Sequence, residues 1–202
     1  MGRTSEAREQ LIQSAICLMH TRGYTAVGVQ EVCDHAGVNK GSFYHFFASK
    51  RDLVLAALDA QWEATERYFL DPAFATDRPL LEKFQRLLHM NGKRAGQEPM
   101  KGCFFGNLSL ELSTQDEVVR QKLQDIFQQW AAYFERELAK AVASGELPEI
   151  DPRTTAQTIL AYIEGIALLA KTYNNPALIE RLTQRLDQLI IPPVYDKVKQ
   201  LS

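Results

Sequence analysis

Five side chains in one short stretch of the sequence, Asn39, Lys40, Ser42, Tyr44 and His45, have the chemistry of nucleic-acid contact. An amide, an ammonium, a hydroxyl, a phenol and an imidazole supply donors for phosphate oxygens, and donors and acceptors for base edges in the major groove. Gly41 lies among them; it makes no contact itself, but its missing side chain lets a helix backbone approach a duplex closely. A different chemistry is concentrated at Pro99-Met100-Lys101-Gly102-Cys103-Phe104-Phe105-Gly106-Asn107-Leu108. Here a single cysteine opens an apolar helix, where backbone N–H groups and the helix dipole favour an anion and so lower a thiol's pKa. Lys101 is close by, and the thiolate is the form that reacts with electrophiles and oxidants.

The first set needs a helix to present it. Val29, Val32, Cys33 and Ala36 recur at helical spacing and form the apolar stripe of one short helix; Phe43, Phe46 and Phe47 do the same for a second. Ala36-Gly37-Val38 between them reads as a helix stop, because glycine accepts the left-handed backbone conformation that ends a helix. Asn39 is suited to cap the next helix. Two helices joined by so tight a turn make a helix-turn-helix, whose second helix enters the major groove. With its phenylalanines turned inward, that helix leaves Asn39, Lys40, Ser42, Tyr44 and His45 exposed.

The stretch RGYTAVGVQEVCDHAGVNKGSFYHFFASKRDLV resembles the amino-terminal pattern of the TetR family of bacterial transcription regulators. It has the family's glycine-aromatic pair after the first helix, AGV at the turn, KGS-aromatic-Tyr-His-aromatic-Phe, and then Ser-Lys. One departure is Val27-Gly28, where the family usually has threonine or serine; Gly28 still serves as a cap, without a side-chain oxygen. The expected DNA-binding set is Gly28, Asn39, Lys40, Gly41, Ser42, Tyr44, His45 and Lys50, with Tyr44 and Lys50 at the rim of the reading helix fixing the protein on phosphates.

The chain has 202 residues, 46% hydrophobic and 24% charged, which fits a globular protein with ample material for a core. No hydrophobic run approaches the roughly 20 residues that span a bilayer, and Met1 to Glu9 is too polar for a signal sequence, so a cytoplasmic location without membrane contact is expected. Cys17, Cys33 and Cys103 lack metal-site spacing and are expected to be thiols. Cys17 and His20 are expected as a packed thiol and a surface histidine, and Cys33 as a core thiol. The overall charge is −2, yet Met1 to Arg51 carries six bases against four acids. Phosphate affinity must therefore come from placed contacts, doubled by dimerisation, and should weaken steeply with salt.

The fold class expected is all-α, about nine helices. A helix-turn-helix domain spans 1–48, and a ligand-binding and dimerisation domain spans 49–202, with helix four, 49–70, connecting them. Ser49 caps that helix, and Asp71-Pro72 breaks it. Later helices are read over Pro79 to Arg94, Cys103 to Ser113, Asp116 to Ser144 and from Asp151-Pro152 to Lys171, with a last one opened by Asn175-Pro176. Ile159, Leu160, Ile163, Ile166 and Ala167, with Leu178, Leu182, Leu186 and Leu189, give more apolar width than a single seam needs. The TetR resemblance implies that these final helices meet a symmetry mate, that a homodimer binds a near-palindromic double-stranded DNA operator, and that a small inducer releases it.

The Gly-Cys-aromatic segment is similar to that of a TetR subgroup that senses quinones, unsaturated carbonyls and chlorine oxidants, the N-ethylmaleimide and quinone-reductase repressors. Cys103 is the expected sensor. Lys171, ending the apolar run ILAYIEGIALLAK, is a candidate partner for its thiolate. Phe104, Phe105, Trp130, Tyr162, Phe127, Met90 and His89 are candidates for lining a pocket, with Glu164 orienting a ligand. The alternatives are a reversibly bound apolar inducer or a helical interaction protein that does not bind DNA. No Ser-His-Asp arrangement, phosphate loop or metal cluster is legible, so neither an enzyme nor a cofactor is expected.

Overall fold

The computed structural model of the chain describes residues 3–95 and 100–190, and among them the regular secondary structure is entirely helical. The helices are α1 (Arg3–Arg22), α2 (Val29–Ala36), α3 (Lys40–Phe46), α4 (Lys50–Thr65), α5 (Asp71–Phe74), α6 (Leu80–Ala95), α7 (Phe104–Leu112), α8 (Glu117–Ala143), α9 (Pro152–Thr172), α10 (Ala177–Thr183) and α11 (Asp187–Ile190). The chain forms two compact units, one of Met1–Asp71 and Lys101–Gln128, the other of Pro72–Met100 and Gln129–Ser202.

The first unit is built on the stripes read from the sequence. Leu11, Ile12, Ala15 and Met19 of α1 are buried with Val32 and Cys33 of α2, Phe43 of α3 and Leu53, Val54, Ala57 and Leu58 of α4. These apolar faces are what holds the two short helices in place, since helices of eight and seven residues, like α2 and α3, are too short to stand alone. Burial pushes the Cys33 thiol above its ordinary pKa, with neighbouring Asp34 adding to it. It is the core thiol expected.

Cys17 and His20 exchange the places expected of them. Cys17 is exposed on α1, whereas His20 is half-buried and its Nε2 lies 2.9 Å from the Gly102 carbonyl oxygen. A carbonyl only accepts, so Nε2 carries the proton. The ring also meets Phe104 edge-on at 5.6 Å. The contacts come from Gly102 and Phe104, remote in sequence, so the local periodicity of α1 could not reveal them.

Ser49 caps α4 as expected, accepting the Asp52 N–H at 3.1 Å and donating its hydroxyl to the Asp52 carboxylate at 3.0 Å. The break expected at Asp71-Pro72 is instead a widening. Residues Glu66–Leu70 form a π turn, the Asp71 N–H reaches the Glu66 carbonyl, and the chain continues into α5. Pro72 has no N–H to donate and its ring crowds the carbonyl four residues back, so a wider turn lets the helix pass the proline.

In the second unit, Phe74, Phe84 and Phe134 interlock, with ring centroids 5.1 Å apart between Phe74 and Phe84 and 5.0 Å between Phe84 and Phe134. Glu137 of α8, only 5% exposed, meets Lys140 at 2.7 Å and Lys83 and Arg136 at 3.6 Å. Burial opposes its ionisation, but these cations more than offset it and hold the carboxyl below the usual range. α9 opens as read, with Asp151 as cap and Pro152 at its first position. The last helix is not continuous. The Arg185 and Leu186 N–H groups bond three residues back, to Leu182 and Thr183, which tightens the chain between α10 and α11.

Candidate nucleic-acid interface and sensor segment

α3, the helix expected to read DNA, is set at its start by short-range bonds. Gly37 closes α2 in the left-handed conformation, φ +65°, its N–H bonding the Asp34 carbonyl at 3.2 Å and the following Val38 N–H the Cys33 carbonyl at 3.0 Å. The Asn39 side chain then accepts the Ser42 N–H at 2.8 Å and starts α3. Below this helix Phe43 and Phe47 are buried, 5.7 Å apart. Above it Asn39, Lys40, Gly41, Tyr44 and His45 are exposed, Tyr44 by 55%, and Ser42 is half-exposed. Tyr44 stands edge-on against Phe43 at 5.1 Å, so the core orients the phenol that points outward. Gly41 has a second reason to be glycine, since a Cβ there would lie 3.3 Å from the Asn39 oxygen that caps the helix. Gly28 caps α2 with extended backbone and no side-chain bond, as its residue type requires.

Lys50 is engaged within its own unit. Its ammonium donates to the Tyr24 carbonyl at 2.6 Å, lies 3.9 Å from the centroid of the Tyr24 ring, and is shifted below the ordinary lysine pKa by burial. Arg51, beside it and exposed, pairs with Asp116 at 2.5 Å.

Cys103 is the N-cap of α7. Its Sγ accepts the Gly106 N–H at 3.5 Å and the residue is half-exposed, while Phe104 and Phe105 are buried. Gly102, at φ +74°, turns the chain into the helix. Phe105 meets Trp62 edge-on at 6.3 Å. These residues belong to the first unit, and the other expected sensor residues belong to the second. There Trp130 is buried against Phe134, Tyr162 donates its hydroxyl to the Leu182 carbonyl at 2.8 Å, Glu164 is half-buried, and Lys171 is exposed at the end of α9.

Sequence reasoning missed an open groove of about 830 Å³ between α6 and α10, lined by residues including Glu82, Arg86, His89, Ile179 and Thr183. Of the expected pocket residues, His89 lines it. Its two walls are far apart in sequence, which is why no periodicity marks it.

A short helix with a buried aromatic underside and a polar outer face, set by a tight turn against a second helix, defines a helix-turn-helix DNA-binding protein. The profile described as "Bacterial regulatory proteins, tetR family" matches residues 11–57, and "Tetracyclin repressor-like, C-terminal domain" matches residues 84–186. The chain belongs to the TetR family of transcriptional regulators, whose members are DNA-binding transcription factors and not enzymes. It is 33% identical over 188 residues to the transcriptional regulator AcuR of Cereibacter sphaeroides, covering 89% of this chain and 83% of that one. It is 30% identical to the HTH-type transcriptional repressor DhaR of a Mycobacterium species, over 94% of this chain and 91% of that one. Among solved structures, a regulatory protein TetR from Rhodobacter sphaeroides superposes with a TM-score of 0.84 at 29% identity, covering 91% and 98% of the two chains.

No helix among the described residues is long and apolar enough to cross a membrane. Among the same residues, no group of His, Cys, Asp and Glu is arranged to hold a metal ion.

Proposed function

We propose that the chain is a repressor which, as a homodimer, sets two α3 helices in successive major grooves of a near-palindromic operator and leaves it when a small inducer binds. The observation that carries this reading is the outer face of α3, where Lys40, Gly41, Tyr44 and His45 are exposed above a buried Phe43. Asn39, Lys40, Ser42, Tyr44 and His45 make the contacts, with Gly41 and Gly28 offering backbone. Lys50 acts at the rim through Tyr24, the residue that it holds. The two reading helices then sit about one DNA turn apart, roughly 34 Å or a little more. A DNA partner implies the bacterial cytoplasm.

The face proposed for dimerisation differs from the one the apolar pattern suggested. Ile159, Leu160, Ile163 and Ile166 are buried within their own protomer, because α9 packs that side on α10 and α11. The opposite side of α9 exposes Leu168 by 51% and Leu169 by 40%, and nothing stands within 4 Å of where a Cβ on Gly165 would lie. Ala161, Gly165, Leu168 and Leu169 share that side, a combination of small and apolar residues that lets a second copy of the helix approach.

Inducer binding lowers operator affinity by its differential affinity for two arrangements of the dimer, typically ~1–3 kcal/mol. Lys40→Ala tests the reading: the dimer stays intact by light scattering while operator affinity falls and the salt dependence becomes shallower by about one ion. Undiminished binding would mean that α3 is not the reading helix.

Covalent induction at Cys103 is the second reading, favoured by its Sγ at the start of α7, half-exposed and accepting the Gly106 N–H. Cys103→Ser should abolish operator release by N-ethylmaleimide. Unaltered release would leave a reversibly bound inducer, with Phe104 and Phe105 or Trp130, Tyr162 and Glu164 as its contacts.

A further inference from the structure

The first unit contains a device that DNA contact does not use. Glu111, near the end of α7, directs its carboxylate away from its own helix to the segment joining α1 to α2. There Oε2 accepts the Tyr24 N–H at 2.8 Å and Oε1 accepts the Thr25 N–H at 2.6 Å. Two successive amides point the same way because Gly23 is left-handed, φ +85°, and such a turn makes an anion-binding concavity from backbone alone. Gly23 is needed for space as well, since a Cβ on it would lie 2.9 Å from Oε2.

The same segment is held from its other side. Lys50 donates to the Tyr24 carbonyl at 2.6 Å and covers the Tyr24 ring. The peptide groups around Tyr24 are therefore gripped between a carboxylate from α7 and an ammonium from α4. Just beyond them the chain buries Val27, passes the cap Gly28 and enters α2. At its other end the chain entering α7 is tied to α1, through the bond between His20 and Gly102, two residues before the helix. Displacement of α7 along its axis has to pull on the entry to the helix-turn-helix.

We infer that Glu111 is a positioning residue for operator binding, a two-amide clasp through which α7, the helix that Cys103 caps, fixes the entry of α2 and hence the placement of α3. The assignment rests on the repressor reading. With the clasp closed the helix-turn-helix has one placement. Opened, it samples several, and apparent affinity falls by the fraction that remains competent. Burial disfavours the Glu111 carboxylate, but the Thr25 hydroxyl, the two amides and Lys50 more than compensate, so the carboxyl lies below its usual range and is ionised at neutral pH.

The test is Glu111→Gln in the full-length dimer, which keeps the shape but places an amide N–H₂ where one of the two N–H donors needs an acceptor. Operator affinity is measured by fluorescence anisotropy over a range of salt, and amide exchange is followed in a peptide spanning Gly23 to Thr25. The expected result is about tenfold weaker binding with an unchanged salt slope, because no phosphate contact is removed, together with faster exchange in that peptide. Unchanged affinity per folded dimer, or a slope shallower by about one ion, would overturn the assignment. If the glutamine variant does not fold, Gly23→Ala, whose methyl would meet Oε2, is read by the same criteria. Failure of the wild-type dimer to bind any duplex would sink the repressor reading, whereas tight binding by both variants would sink only the clasp.

Discussion

The two units of this chain reach their chemistry by opposite routes. The reading helix α3 is specified almost wholly by its neighbours in sequence: Gly37 stops the helix before it, Asn39 starts it, and Phe43 and Phe47 fix which side faces out. The groove of the second unit has no such local grammar. It is walled by α6 and α10, and the buried carboxylate of the same unit, Glu137, finds Lys83 far away along the chain. A function carried by one short helix can be copied as a motif. A groove assembled from distant helices leaves no such motif.

The contrast predicts where each end breaks. The largest effect belongs to Phe43→Ala, which empties the fully buried centre beneath α3 and should cost about 3–5 kcal/mol. Thermal unfolding followed by circular dichroism measures it, and a loss under about 1 kcal/mol would mean that the aromatic underside does not hold the reading helix.

Glu137→Ala comes next. It leaves Lys83, itself largely buried, without its carboxylate, and should cost about 2 kcal/mol at neutral pH. Because the folded-state pKa of Glu137 is depressed, its contribution is fully present above the ordinary glutamate range, about 4.3, and is lost as pH falls through the folded value. Urea melts at pH 7 and pH 4 should therefore show the difference between wild type and variant shrinking in acid. A constant difference would show that packing, not charge, is what Glu137 contributes.

Asn39→Ala is the smallest change, about 1 kcal/mol for a lost cap. It should appear more clearly in operator affinity than in melting, because the bond it removes starts the reading helix itself.

What was legible in the sequence follows the same division. The cap at Asn39, the stop at Gly37, the cap at Ser49 and the inward Phe43 and Phe47 were readable because each depends on residues within one or two turns, whereas Phe46, expected inward with them, is only half-buried. The partners of His20 and Lys50 were hidden for the reverse reason: the carbonyls of Gly102 and Tyr24 are backbone atoms supplied by other segments, and backbone groups leave no mark in a side-chain pattern. The apolar run of α9 told that the helix is buried, but not which of its sides packs on α10 and α11. The passage through Pro72 was hidden because a proline signals a break, whereas a π turn absorbs it.

The central claim is that α3 reads the major groove, and the most direct measurement is selection of random double-stranded DNA by the purified protein, carried out in parallel with Lys40→Ala and Tyr44→Ala. The account predicts that the wild type enriches a near-palindrome whose half-sites lie about one helical turn apart, and that both variants bind the enriched duplex more weakly while remaining dimeric. Enrichment of the same duplex with equal affinity by all three proteins would contradict it.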